Sequence, residues 1–185
     1  MIGPRAKLVL LAGVFAIPIA ASLFTYLYLR PPASANYGEL LLPPATITAQ
    51  PFENADGGRF GFTQLEGRWI FVVSDSGDCP MACAQKLVTL RQVRLALGRD
   101  AARVARVFVV DDRKRPAPGA LKDFEGTVVA LTPAGMSLPP GAATDRAHIY
   151  LVDPRGNVMM RWPAKGEGKG ILGDLKRLLK ASQIG

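Results

Sequence analysis

The fold is decided by residues 67–98, which read GRWIFVVSDSGDCPMACAQKLVTLRQVRLALG. The first eight of them, residues 67–74, form a short and nearly continuous apolar run, which is typical of a strand covered on both faces. A loop over residues 75–78 follows. A helix is then predicted from Pro80 to about Gly98, because proline suits the first helical turn and glycine suits the position after the last one.

The only two cysteines of the chain, Cys79 and Cys83, lie at this junction between strand and helix. A helix N-terminus carries partial positive charge and free amide donors, so a cysteine there favours its thiolate, which is the nucleophile and the metal ligand. The loop between the two cysteines is too short for a useful structural cross-link, which favours a chemical role. Cys79 must stand just outside the helix for the pair to close as a disulfide. Two thiolates at this spacing also suit monovalent copper.

The remaining pattern predicts an α/β domain of the thioredoxin type, with a central mixed sheet flanked by helices. Its predicted elements are a hairpin region at 51–66 turning at 56–58, strands at 104–110 and 127–131, a helical turn at 121–124, a hairpin at 147–162 turning at 153–156, and an amphipathic helix at 171–182. In that last helix, leucines repeat at helical spacing on one side and lysines and an arginine on the other. The order of strand, helix, strand, hairpin and helix favours this fold class.

An uncharged run over residues 8–29 precedes the domain. At about 1.5 Å per residue, a helix over this run is roughly 33 Å long and crosses the hydrocarbon core of a bilayer. Arg5 and Lys7 precede the run and only Arg30 follows closely, so the positive-inside bias retains the N-terminus in the cytoplasm and exports the rest. The predicted organisation is a cytoplasmic N-terminus at 1–7, a transmembrane helix at 8–29, a proline-rich linker at 30–50 and an exported domain at 51–185.

A cleaved signal peptide is the alternative interpretation of the same run. Residues 33–35, Ala-Ser-Ala, resemble a small-residue cleavage site, and cleavage there starts the mature protein at Asn36. The apolar region of a signal peptide usually has about 7–15 residues, which is shorter than this run. Length therefore favours an uncleaved anchor.

The charge of the chain bears on its partners. The formal net charge is +8, and leaving out Arg5, Lys7 and Arg30 brings it to +5 for the exported part. A basic domain favours anionic surfaces, such as acidic phospholipid headgroups or an acidic protein. The sequence carries no nucleic-acid-binding motif, and an exported address argues against nucleic acid as a partner.

Three blocks of the sequence resemble the SCO/SenC family. Residues 66–73 followed by the Cys79–Cys83 motif are similar to its core strand and CxxxC, residues 107–112 to its next strand, and residues 149–156 to its late Tyr-Leu-Val hairpin. The resemblance covers roughly residues 40–180. It implies a membrane-anchored thioredoxin fold that helps to build the copper centre of cytochrome c oxidase, with an oxidase subunit or another assembly factor as the partner.

The chain also departs from the pattern of that family. Met81 and Ala84 stand where the family carries aspartate and proline, and Asp145 stands in the register of its copper-binding histidine. The only histidine, His148, lies two residues before Tyr150 and is the third candidate metal ligand beside the two cysteines. A partly buried strand histidine without a metal role is the alternative.

Three functional hypotheses follow from the sequence. The first is a copper-handling or thiol-reducing assembly factor for a respiratory oxidase, anchored in the inner membrane with its domain in the periplasm. The second is a membrane-tethered thiol–disulfide oxidoreductase in which Cys79 attacks and Cys83 resolves. The third is a non-catalytic scaffold with an SCO-like fold. Whether the chain is an enzyme stays open at this point.

Overall fold

The structure, a computed structural model, describes residues 3–28, 36–47, 51–133 and 145–182. The strands that the apolar runs predicted form the middle of one sheet. The elements are α1 (Pro4–Tyr28), β1 (Glu39–Thr46), β2 (Phe52–Asn54), β3 (Arg59–Phe60), β4 (Trp69–Asp75), α2 (Met81–Ala96), β5 (Val104–Val110), β6 (Thr127–Leu131), β7 (His148–Val152), β8 (Asn157–Pro163) and α3 (Gly168–Ala181). Both β4 and β5 are buried at every position, as a strand covered on both faces must be.

The sheet is mixed, with the strand order β1-β8-β7-β4-β5-β6-β2-β3. β4, β5 and β6 run parallel to one another, and β7 pairs antiparallel with β4. β7 and β8 form the predicted late hairpin, and β2 and β3 form the early one. The predicted fold class, a thioredoxin-like mixed sheet flanked by helices and preceded by one apolar helix, is confirmed.

Two separate cores cover the two faces of the sheet. The first contains the inward residues of both α2 and α3, including Cys83, Leu87 and Leu175, packed on alternate residues of the central strands. The second lies on the opposite face and is closed by aromatic residues of the early hairpin and the 3-10 helix after it, such as Phe52 and Phe62. The side chain of any strand residue can therefore be assigned to the α2 face or to the opposite face by alternation.

The folded unit begins earlier than the sequence indicated. It spans Asn36–Gly185, whereas the sequence placed residues 30–50 in a linker and began the domain at 51. β1 occupies part of that linker and pairs with β8, with an irregularity between Leu40 and Ala45. In the sequence, Pro43 and Pro44 favour a linker. They are compatible with β1 because prolines are tolerated in an edge strand, and β1 is the outermost strand of the sheet.

Asp174 ties this first strand to the last helix. It is buried in α3, and its carboxylate accepts hydrogen bonds from the backbone amides of Tyr37 and Gly38, at 3.0 and 2.7 Å, and from Trp162 Nε1 at 2.9 Å. Gly38 is required there, because a Cβ at that position would stand 2.4 Å from Trp162 Nε1. The carboxylate thereby replaces the water that these three donors lose on burial.

The N-terminal unit is the single helix α1, which is long and apolar enough to cross a membrane, with a mean hydropathy of 2.3 over its best window. Pro18 lies inside it, as membrane helices tolerate. A signal sequence near the N-terminus can meet the same criteria of length and hydropathy. The proposed cleavage site at 33–35 lies outside the described residues.

Candidate functional site

Cys79 and Cys83 form a disulfide at the junction between β4 and α2, with their Cα atoms 5.1 Å apart. Pro80 is the N-cap of α2, so Cys79 stands just outside the helix, where the sequence required it to be. The backbone of Cys79 has a φ of 39°, in the left-handed region that residues other than glycine rarely adopt. Its amide donates to the carbonyl of Ser76 at 3.0 Å, which fixes that turn.

The two sulfurs differ in their access to solvent. Cys83 is only 1% exposed and belongs to the core with Leu87 and Leu90. Cys79 is half-buried at the rim of the same core, and the neighbouring Met81 is 79% exposed. Cys79 is therefore the sulfur that a partner can reach, and Cys83 is the one that can close back onto it.

A buried ion pair lies one helical turn after Cys83. Lys86 Nζ stands 2.7 Å from Asp75 Oδ2 and donates to the carbonyls of Ser74, at 2.7 Å, and Arg146, at 3.0 Å. All three ammonium donors thus have an acceptor. Lys86 was not identified from the sequence. The signal for it was its position on the apolar face of α2 beside Leu87, because a lysine on a buried face almost always has a paired acidic group.

The acidic pair at the end of β5 shapes the loop before Cys79. Asp112 accepts from Ser76 Oγ at 2.5 Å and from the amides of Gly77 and Lys114 at 3.0 and 3.1 Å. Partial burial raises the pKa of Asp112, but these hydrogen bonds outweigh burial and lower it to about 2. Gly77 leaves no room for a side chain, because a Cβ there would lie 1.6 Å from the Lys114 carbonyl oxygen.

Arg146 stands beside Asp145, which occupies the register of the family's copper-binding histidine. Its guanidinium donates from Nε to Asp111 Oδ2 at 2.8 Å and from Nη2 to Asp111 Oδ1 at 2.5 Å. Nη1 also lies 3.8 Å from Asp75. The family resemblance implied a metal ligand in this part of the chain. The structure instead has an ion pair there, between Arg146 and Asp111.

His148 lies on the other face of the sheet from Cys83. Ile149 belongs to the α2-side core and Tyr150 to the opposite core, so alternation puts His148 with Tyr150. The imidazole Nδ1 is 2.8 Å from Asp145 Oδ1, and the ring meets the Tyr150 ring edge-on at 6.0 Å. Partial burial raises the pKa of Asp145, but hydrogen bonds from Tyr150 and His148 outweigh it and hold that pKa below its usual value.

The structure thus brings Cys79 and Cys83 together and leaves His148 apart from them. Within the described ranges, no group of three or more histidine, cysteine, aspartate or glutamate residues is arranged to hold a metal ion. The local donor set for a metal is the cysteine pair once it is reduced. Two thiolates fit monovalent copper, which prefers soft sulfur ligands.

Comparison with solved structures places the domain among thioredoxin-like proteins. A SCO1/SenC family lipoprotein from Bacillus anthracis matches with a TM-score of 0.57 and 20% identity, covering 75% of this chain and 98% of that one. Copper-bound ScoI from Arabidopsis thaliana gives 0.60 and 17%, covering 72% and 99%. The thioredoxin domain of a Bacteroides vulgatus thiol–disulfide oxidoreductase gives 0.54 and 15%, covering 75% and 99%. These likenesses confirm the SCO-like, thioredoxin-type fold.

Sequence comparison adds one family. The family model described as a transmembrane-like, thioredoxin-like C-terminal domain matches residues 69–182, which is more than half of the chain. The matched range runs from the start of β4 to the end of α3 and includes both cysteines. No curated protein is similar enough in sequence to count as a relative of the chain.

Proposed function

The chain belongs to the family of transmembrane-like, thioredoxin-like C-terminal domains. We propose that it is a membrane-anchored assembly factor for a respiratory cytochrome c oxidase. It acts through Cys79 and Cys83. The observation that carries the proposal is this cysteine pair at the start of α2, in which Cys79 is half-buried and Cys83 is buried. The oxidase as target rests on the SCO-like fold and on the sequence blocks that resemble that family.

In this proposal, copper is the cargo of the protein. The reduced pair offers two thiolates to monovalent copper, which they hold without a third ligand. Divalent copper also needs nitrogen or oxygen donors, and the imidazole of His148 is engaged with Asp145 on the opposite face. We therefore expect a site selective for the monovalent ion. Copper-bound ScoI, which shares the fold, supports this cargo.

The proposed location is the inner membrane, with α1 as an uncleaved anchor and the domain in the periplasm. The length and hydropathy of α1 and the positive charges of Arg5 and Lys7 before its apolar run support this orientation. A reporter fused after Gly185 tests it, because only a periplasmic C-terminus activates a reporter that folds after export. A cytoplasmic signal, or a mature protein beginning at Asn36, contradicts the anchored form.

Thiol–disulfide exchange is the second candidate function, favoured by the unequal exposure of the two sulfurs. The Cys79 thiolate attacks a partner disulfide and forms a mixed disulfide, releasing one partner thiolate. The Cys83 thiolate then attacks the Cys79 sulfur and releases the second partner thiolate. The partner gains two electrons and this chain is oxidised, so a dithiol protein is needed to reduce the pair again. A thioredoxin-like oxidoreductase shares the fold.

A copper titration of the reduced full chain in detergent tests the first function. Monovalent copper is added against a competing chelator, using wild type, Cys79→Ser, Cys83→Ser and His148→Ala. We expect one ion per wild-type chain, loss of binding in either serine variant and little change in His148→Ala. No uptake by wild type contradicts copper handling. An equal loss in His148→Ala shows a three-ligand site instead.

Alkylation of the reduced chain separates the exchange function from a scaffold role. Cys79 should react faster than Cys83, since Cys83 is buried beside Leu87. A reduced thioredoxin should convert the oxidised chain to its dithiol form, and this reduced chain should then pass two electrons to an oxidase fragment that contains a disulfide. If both cysteines react slowly and no exchange occurs, the chain is an SCO-like scaffold.

A further inference from the structure

A cluster of charged side chains lies beside the C-terminal half of α2, away from the cysteine junction. There, a cavity of about 310 Å³ opens between α2 and the 3-10 helix Lys122–Phe124. Its charged lining consists of four cations and two carboxylates, namely Arg91, Arg94, Arg106, Lys122, Asp123 and Glu125. The lining therefore carries an excess of positive charge.

Arg106 forms the floor of this cavity. It lies in β5 on the α2 face of the sheet, and the residue is only 4% exposed. One of its nitrogens donates to the Glu125 carbonyl at 2.5 Å, but its buried Nε has no hydrogen-bond partner in the described part of the chain. An unpartnered buried donor is costly, and more so when it belongs to a cation.

The residues around Arg106 add further positive charge to the cavity. Arg94 donates from Nε to the Val104 carbonyl at 2.9 Å, which holds its guanidinium over the same cavity. Burial lowers the pKa of Arg106, and the positive charges of Arg94 and Arg91 lower it further. Among the residues that the structure describes, no ion pair joins these arginines to a carboxylate.

We propose that this cavity binds a single phosphate group, held by Arg106, Arg94 and Arg91. Guanidinium groups match the oxygens of phosphate in a bidentate geometry, and the anion supplies the acceptor that Arg106 Nε lacks. The carboxylates of Asp123 and Glu125 in the lining disfavour a long polyanion, so one phosphate fits better than nucleic acid. The volume is at the small end of ligand sites, which suits a phosphate with a small substituent.

The phosphate has two sources, a soluble phosphate compound or the headgroup of an anionic phospholipid. The full chain is therefore placed in nanodiscs of phosphatidylcholine or of phosphatidylglycerol, and its thermal midpoint is followed as inorganic phosphate replaces chloride at constant ionic strength. Ligand that binds only the folded state raises the midpoint in a saturable manner, by a few degrees at most for roughly 100-fold excess over Kd.

In phosphatidylcholine, we expect a saturable rise for wild type and for Arg155→Gln, which removes an exposed arginine outside the cavity. Arg91→Gln and Arg94→Gln should each weaken the affinity for phosphate at least tenfold. Arg106→Gln should abolish the saturable rise of the thermal midpoint. Arg91 is exposed, so Arg91→Gln keeps the test valid if Arg106→Gln does not fold.

The lipid comparison identifies the source. If the headgroup fills the site, wild type is already stabilised in phosphatidylglycerol relative to Arg94→Gln, and added phosphate has no further effect. If a soluble compound fills it, the rise persists in both lipids. The proposal is overturned if wild type shows no saturable rise and no stabilisation by phosphatidylglycerol, or if the arginine variants respond as wild type does.

Discussion

Lys86 and Arg106 are both buried cations between α2 and the sheet, and they differ in their partners. Lys86 has the Asp75 carboxylate and two carbonyls within 3.0 Å, so its charge and all its donors are satisfied. Arg106 has one carbonyl and two arginines beside it, and its Nε has no partner among the residues that the structure describes. The difference teaches that a buried charge with its partners in place belongs to the scaffold, whereas one without them indicates a ligand site.

Lys86→Met should have the largest effect on stability. It leaves the buried Asp75 carboxylate with the amide of Ser76 at 2.9 Å and the guanidinium of Arg146 at 3.8 Å, and breaking a buried ion pair on one side costs about 3–5 kcal/mol. Urea unfolding with the disulfide intact measures the loss. Replacing both partners, Lys86→Met with Asp75→Leu, should recover much of it. A loss below about 1 kcal/mol would show that the pair contributes little.

Asp174→Ala should cost somewhat less, about 2–3 kcal/mol, because it leaves buried donors of Gly38 and Trp162 without an acceptor. Hydrogen exchange should show faster exchange at the amides of Tyr37 and Gly38 than in wild type. Asp56→Ala, at an exposed aspartate, is the matched control and should change the free energy of unfolding little. An effect as small as that of the control would mean that Asp174 does not hold β1 in place.

Arg106→Met in phosphate-free buffer should change the free energy of unfolding by no more than about 1 kcal/mol. The variant loses one hydrogen bond to Glu125 but removes an unpartnered buried cation beside Arg94. The same urea experiment measures it, so the result is directly comparable with Lys86→Met. A loss as large as that of Lys86→Met would remove the distinction between the two cations.

Asp112 provides the smallest effect on stability, and this effect is present at neutral pH and lost in acid. Its folded pKa, about 2, is below the unfolded value of about 3.9, so its stabilising contribution is complete above the unfolded pKa and is lost as pH falls through the folded pKa. Asp112→Asn should therefore lower the free energy of unfolding at pH 7 more than at pH 2.5. Urea unfolding at both pH values measures the difference in free energy between wild type and Asp112→Asn. Asp56→Asn, at an exposed position, is the control. An equal difference at both pH values would mean that the contribution is not carried by the ionised carboxylate.

The local patterns of the sequence predicted most of the sheet and the cysteine site. The apolar runs at 67–74 and 104–110 became β4 and β5, and Cys79 stands outside α2 as closure of the pair requires. These features depend on residues that are near one another in the chain. The linker at 30–50 was misjudged because its prolines were weighed without the neighbouring strand, β8, that accepts them at the sheet edge.

By itself, the sequence determined an apolar N-terminal helix, a thioredoxin-like α/β order and a CxxxC at a helix start. Only the tertiary structure decided which charges meet. It paired Lys86 with Asp75 and gave Asp174 its donors from the residues just before β1 and from β8. It also turned His148 away from the cysteines and, within the described residues, left Arg106 without a counterion. Periodicity reports whether a position is buried, but the partner of a buried charge comes from a distant part of the chain and depends on strand order and register.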